Sequence, residues 1–213
     1  ATQPDLGTSI LIAAGGITVA WLAGVRVKFF AYSGLIFLAV LPVAISFLKP
    51  YQKSRILIFL NPERDPLGAG YQIIQSKIAV GSGGLFGKGF LQGSQSYLDY
   101  LPEKHTDFIF TLFSEEFGFF GSLFILFLYS LIVWRILKIG NLTRSNFGKL
   151  YCFSFATAFF LYVVVNMMMV LGLLPIVGSP LPIMSYGGSS MMAIMFGLGI
   201  VMSCKVYKDM PVN

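Results

Sequence analysis

Charge is scarce in this chain. Only 11% of its 213 residues are Asp, Glu, Lys or Arg, while 56% are apolar and 15% aromatic; a soluble globular domain carries about 25% charged residues. The 15 Lys and Arg never gather into a basic block, so the net charge of +6 does not describe a nucleic-acid-binding surface. Histidine occurs once. The two cysteines, Cys152 and Cys204, lie inside apolar runs and imply no secreted disulfide framework. The first apolar run has no basic region before it and is preceded by Asp5, so it is not a signal peptide. These shortages exclude a soluble enzyme, a disordered tail and a nucleic-acid-binding domain. They leave an all-α polytopic membrane protein.

What the chain has instead is long uncharged stretches. A membrane helix needs about 20 mostly apolar residues. Leu6–Val25, Phe29–Leu48 and Phe117–Trp134 are free of charge, and so is the whole of Leu150–Cys204. The last is too long for one helix, and Pro175, Pro180, Pro182, Gly187 and Gly188 interrupt it. Five transmembrane spans are predicted, at about 6–25, 29–48, 108–134, 150–173 and 188–204, in one membrane domain covering 1–213. The chain starts at Ala1 without an initiator Met, and a piece of a longer protein is expected.

Basic residues orient the spans. Arg26 and Lys28 follow the first, Arg135, Lys138, Arg144 and Lys149 the third, and Lys205 and Lys208 the fifth, with only Asp209 as acidic company. All fall on one side if the spans alternate, and the positive-inside rule makes that side cytoplasmic. Trp21 and Trp134 lie near the same ends, as interfacial aromatics should. The segment 49–107 is then outside the cell, as is the Pro-rich connection 174–187.

Chemistry is expected in the outer segment, because connections that long are functional or disordered and this one is rich in Tyr and Ile. Residues 70–80 read as a short amphipathic helix, with Ile74 and Ile78 spaced i,i+4. Lys49, Lys53, Arg55, Arg64, Lys77, Lys88 and Lys104 read either as solvated charge or as a site for an anionic lipid-linked substrate. The run GSGGLFGKG at 81–89 fails as a nucleotide loop on spacing and reads as a flexible Gly loop. In LPEKHTDFIFTLFSEE at 101–116, Asp107 directly precedes an apolar helix. It reads as an N-cap or as a base whose pKa desolvation raises toward the working range. Glu115 lies about 12 Å further along a helix, too far to share a proton with it, and reads with Glu116 as an anchor of the outer end of the third span. Glu103, His105 and Asp107 make only a weak metal site. Asn166, strongly polar within a span, reads as an interhelical hydrogen bond.

Four stretches then add up to a resemblance: QPDLGTS at 3–9, NPERDPLGAGYQIIQSKIAVGSGG at 61–84, LPEKHTDFIF at 101–110 with EEFG at 115–118, and LPIVGSPLPIMSYGGSS at 174–190. In order and spacing they resemble the C-terminal part of the shape, elongation, division and sporulation (SEDS) family of membrane glycosyltransferases. The 61–84 stretch is more similar to the rod-shape branch than to the division branch. Ser179 stands where a small apolar residue is more usual.

The resemblance implies the second half of a ten-helix fold with a large extracytoplasmic loop, in the bacterial cytoplasmic (inner) membrane. It implies lipid II as substrate, polymerised into peptidoglycan strands for elongation and rod shape with release of undecaprenyl diphosphate. Asp107 matches the family's catalytic Asp and would deprotonate the acceptor hydroxyl. Lys77, Lys88, Lys104 or Arg64 could stabilise the diphosphate. The segment carrying Ser185, Gly187 and Gly188 would wall the substrate cavity. A divalent cation could share the charge stabilisation, though no ligand set in the chain is compelling. The implied partners are a class B penicillin-binding protein (a transpeptidase) and other membrane proteins of the elongation complex; no nucleic acid is expected. Two other readings stay open: a lipid II flippase, for which the spans lack midplane charge, and a noncatalytic scaffold of the cell-wall synthesis complex.

Overall fold

In the computed structural model, residues 6–46, 50–65, 68–94 and 105–209 are described, and among them there is no strand. The order of elements is α1 (Leu6–Leu22), α2 (Val27–Ser46), α3 (Pro50–Leu60), a short 3-10 helix (Pro62–Arg64), α4 (Ala69–Ser82), α5 (Ile109–Leu142), α6 (Asn146–Val170) and α7 (Gly188–Val206). Three of these, α5, α6 and α7, are long and apolar enough to cross a membrane. The described parts of α1 and α2 are shorter apolar helices.

The central helix is α6. It packs against α1 on one side, α5 on another and α7 on a third. Its start is capped by Ser145, whose hydroxyl accepts from the Gly148 amide. Its end is set by Gly172 at φ +66°, with the amides of Leu171 and Leu173 turned back onto the carbonyls of Met167 and Met168. The helix therefore stops before Pro175 is reached. One buried cluster joins Phe159, Val163, Met167, Met169 and Val170 of α6 to Phe108, Phe110 and Tyr129 on the α5 side and to Leu181. A second, around Ile136, Cys152, Ala156 and Val201, closes the other end of the α5–α6–α7 bundle. By contrast α2 turns Leu35, Ile36, Phe37 and Leu38 outward, each 62–70% exposed.

The helix α5 is not continuous. Gly118 has φ 66° and ψ −159°, a region essentially reserved for glycine. The break releases backbone groups that an unbroken helix would consume, and the run 83–89 takes them up. The amides of Lys88 and Gly89 donate to the carbonyls of Glu115 and Glu116 at 3.0 Å. In return the amides of Phe119 and Phe120 donate to the carbonyls of Gly84 and Leu85. Glycine is required because the two backbones touch: a Cβ on Gly83 or Gly87 would collide with the carbonyls of Ser114 or Glu116. The expected flexible loop is therefore an ordered splice into α5.

The helix expected at 70–80 exists as α4. Gly70, Ile73, Ser76 and Ala79 are buried, while Ile78 is 48% exposed. Small residues line this face because α4 lies close on its neighbours. The Ser76 hydroxyl donates to the Val170 carbonyl at 2.7 Å and lies 3.0 Å from the Thr111 hydroxyl, tying α4 to both α5 and α6. At its start Asp65 Oδ2 accepts from the Ala69 amide at 2.9 Å.

These contacts generate a stability prediction. Gly118→Ala places a side chain in a glycine-only conformation against the Gly87 backbone. It is expected to cost at least about 1–3 kcal/mol, read as a lowered melting temperature in detergent. Gly15→Ala, at a helical position with nothing within 4 Å of the new methyl, is expected to leave the melt unchanged or raise it. Equal melts for the two variants would contradict the splice.

Candidate active site

The candidate site lies at the end of the bundle where α5 begins, α6 ends and α7 begins. Its centre is the tripeptide His105–Thr106–Asp107. Each of its backbone carbonyls is held by a different donor. His105 O accepts from the Tyr186 amide at 2.9 Å, Thr106 O from the Ser185 hydroxyl at 2.6 Å, and Asp107 O from Asn166 Nδ2 at 2.8 Å. Because its own amide hydrogen bonds lock the 181–185 turn, Ser185 is itself fixed. Its amide reaches the Leu181 carbonyl, and its Oγ accepts from the Leu181 amide at 2.6 Å. The Tyr129 hydroxyl secures the same turn through the Pro182 carbonyl.

Asn166 is fully buried, and its amide nitrogen also donates to the Ser179 carbonyl at 2.7 Å. Both partners are acceptors, so the NH2 group must face them. This is not the interhelical bond expected for Asn166. It clamps two loops to the end of α6. Asn166 Oδ1 and Ser179 Oγ are buried and have no hydrogen-bond partner among the described residues.

The backbone is fixed on three sides and Phe108 is buried directly after it; of the three side chains His105 is exposed, and Thr106 and Asp107 are half-buried. Asp107 Oδ2 passes over Gly178, where an added Cβ would stand 3.5 Å from it. Gly178 has φ +69°, so a side chain there would be strained as well as close.

The cations predicted from sequence fall in different settings. Lys88 Nζ lies 2.7 Å from Glu115 Oε1 and also donates to Ser94 at 2.8 Å. Glu115 is fully buried and accepts from Ser94 as well, so this pair fastens the 83–94 loop to α5 rather than anchoring a membrane end. Lys77 is exposed; its chain crosses Gly172 at the C-terminal end of α6, where carbonyls and the helix dipole favour a cation. Gly187 and Gly188 start α7, beside Ser185 and the exposed Tyr186. Arg55, one of the seven basic residues of the outer segment, donates from Nη1 to the Ile176 carbonyl at 3.0 Å and ties α3 to the 172–180 segment. Lys104 lies outside the described residues, as do Asp5, Asp99 and Glu103, and the side chain of Arg64 is not described. Among the described residues no three His, Cys, Asp or Glu gather as metal ligands. Among the described residues, Glu115 is committed to Lys88.

Comparison with known proteins bears on this arrangement. The cell cycle protein family that groups FtsW, RodA and SpoVE matches residues 1–210. The chain belongs to this family. Over 211 residues it is 49% identical to peptidoglycan glycosyltransferase MrdB of Escherichia coli K12, covering 99% of this chain and 57% of MrdB. Stage V sporulation protein E of Bacillus subtilis is 41% identical over 205 residues, covering 96% and 56%. A solved chain from a peptidoglycan synthase complex that coordinates polymerization and crosslinking superposes with a TM-score of 0.71 at 38% identity, covering 97% of this chain and 56% of that one. The rod shape determining protein RodA of Thermus thermophilus gives 0.62 at 27% identity, covering 98% and 52%. The chain thus spans a little over half the length of the SEDS relatives it matches, and the sequence motifs read as SEDS-like are those of a true member.

Two predictions follow from the site's supports. Asn166→Ala strips the Asp107 and Ser179 carbonyls of a buried donor and is expected to destabilise by about 1–3 kcal/mol per orphaned group. Ser179→Ala removes a buried hydroxyl with no partner and is expected to be neutral or stabilising. Thermal melts of the two variants check this contrast. Lys88→Met strands the buried Glu115 carboxylate and is expected to cost about 3–5 kcal/mol, most of it recovered when Glu115→Leu is added; a double-mutant cycle in denaturant measures the recovery.

Proposed function

We propose that the chain is the C-terminal half of a peptidoglycan glycosyltransferase, in which Asp107 is the general base. In the proposed reaction the 4-hydroxyl of one lipid II sugar attacks C1 of another. Asp107 takes the hydroxyl proton as the new glycosidic bond forms and the bond to undecaprenyl diphosphate breaks. Diphosphate is a stable leaving anion, so the departure calls for positive charge more than for a general acid. Lys77 is assigned that role here, since Lys88 is neutralised by Glu115; Arg64 and Lys104 remain in the set. The observation that carries the reading is the hold on Asp107: its backbone is fixed by three neighbouring hydrogen bonds, while its carboxylate is left half-buried over a glycine. A base held this firmly needs no reorganisation when the hydroxyl arrives. The names of the curated relatives support the same chemistry.

The same proposal extends to topology and partners. We read α1 and α2 as spans beside α5, α6 and α7, giving five, with Asp107 and the 49–107 segment on the extracytoplasmic side. We place the membrane helix of a class B penicillin-binding protein beside α5 and α6. The outward face of α5 offers it a groove of about 540 Å³ lined by Phe120, Leu123, Phe124 and Phe127, and the kinship with a chain from a synthase complex supports such a partner.

In the complete protein, Asp107→Asn is expected to lower polymerisation of lipid II by about 10²–10⁴ with normal expression and melting, because Asn preserves the size of the side chain and leaves the hydrogen bond from Asn166 to the backbone carbonyl of residue 107 in place. Long glycan chains at near-normal rates would remove Asp107 from the mechanism. For topology, a cysteine replacing the 83% exposed Tyr186 is expected to react with an impermeant thiol reagent outside intact cells, and Cys204 is not. Strong external labelling of Cys204 would reverse the orientation.

A further inference from the structure

At the end of the bundle opposite Asp107, α5 and α7 finish side by side. Between them lies a recess of about 280 Å³ whose lining includes Arg135, Lys138, Lys205 and Lys208. The backbone fixes this arrangement: the Arg144 amide donates to the Lys208 carbonyl at 3.1 Å, holding the end of α7 against the α5–α6 connection. None of the four cations makes an ion pair among the described residues, where the ion pair found is Lys88–Glu115. Asp209 is the acidic neighbour, exposed and adjacent to Lys208 in sequence. Four like charges around one recess repel each other unless an anion lies between them.

The recess does not end in protein. Through Arg135, Ile139 and Met202 it continues into a groove of about 420 Å³ along the α5–α7 seam, walled by Leu131, Trp134, Leu198 and Val201. This groove is almost wholly apolar. Lys138 lies over the Trp134 ring, its Nζ 5.2 Å from the centroid, at the junction of the two parts. A cationic mouth on an apolar slot at a helix end fits a ligand with an anionic head and a hydrocarbon tail, at the depth where such molecules lie in a bilayer. A free phosphate would leave the slot unused, and a neutral lipid would leave the cations unmatched.

We propose that the α5–α7 recess binds the phosphate headgroup of an anionic phospholipid, with an acyl chain in the groove that continues from it. The proposal is independent of the glycosyltransferase reading, since it involves neither Asp107 nor lipid II. The ligand secures the ends of α5 and α7 to each other where they are otherwise held by packing around Ile136 and Val201.

Trp134 makes the site directly observable. These 213 residues contain two tryptophans, so Trp21→Phe, with any tryptophan outside them also changed to Phe, leaves Trp134 as the reporter. This variant, in nanodiscs of phosphatidylcholine, is titrated with brominated phosphatidylglycerol or with brominated phosphatidylcholine at the same mole fraction. Stronger quenching by the anionic lipid is expected, and each neutralised cation should lower that preference about fivefold. In the triple variant Arg135→Gln, Lys205→Gln, Lys208→Gln the preference should fall to about fivefold or less, the share of the one remaining cation. Lys138 is left in place because it contacts the reporter. The charge-conserving Arg135→Lys, Lys205→Arg, Lys208→Arg variant should retain the preference, which separates loss of charge from loss of fold. Lys149→Gln, a basic change outside the recess, should also retain it. Equal quenching by the two lipids overturns the proposal, and so does a preference that the triple Gln variant leaves undiminished. If millimolar inorganic phosphate abolishes the preference, the recess takes a free anion and the lipid assignment falls.

Discussion

The backbone of His105, Thr106 and Asp107 runs through the junction of three helices, and its carbonyls must find donors there. A buried carbonyl without a partner costs as much as a lost hydrogen bond or more. The donors come from elements far apart in sequence: one side-chain amide of α6, one hydroxyl and one main-chain amide of the 181–186 turn. Satisfying three carbonyls therefore fixes the relative positions of α5, α6 and the start of α7 together. The buried side chains of Phe108 and Leu181 then fill the space that those bonds define.

A second constraint acts on the same helix a few turns on. The break at Gly118 detaches the first part of α5 from the rest as a hydrogen-bonded unit, and the 83–89 loop repairs the gap from outside. The outer part of α5 thereby belongs mechanically to α4 and its loop, through the Ser76–Thr111 contact and the Lys88–Glu115 pair. Burying that ion pair costs desolvation, which its short geometry and the additional Ser94 hydrogen bond offset. The outcome is a rigid cap of α4, its loop and the start of α5, seated on the end of α6.

Apolar runs made the all-helical character and the long helices of the second half legible, because length and hydrophobicity alone decide them. The prolines at 175–182 marked a break correctly, although Gly172 is what ends α6. The break at Gly118 was not legible: a glycine in an apolar helix is ordinarily tolerated, and the reason for this one lies some 30 residues upstream. The same holds for Asn166, whose polarity stood out but whose partners are 59 and 13 residues away. Glu115 read as a surface anchor because its partner, Lys88, is 27 residues distant. Ile74 and Ile78 marked the helical period of α4, but spacing does not say which face packs on the protein; Gly70, Ile73, Ser76 and Ala79 take that face. Local chemistry was readable, and long-range pairing was not.

The distribution of charge along α5, α6 and α7 has an electrical consequence. Phe117–Trp134 and the whole of Leu150–Cys204 contain no Asp, Glu, Lys, Arg or His. A membrane voltage does work only on charge that moves through it, about 2.3 kcal/mol per unit charge per 100 mV. Within these stretches there is no side-chain charge for the field to grip. Rearrangements confined to these stretches therefore move no side-chain charge through the field; the charged groups of α5 and α7, Glu115, Glu116, Arg135, Lys138 and Lys205, lie outside them.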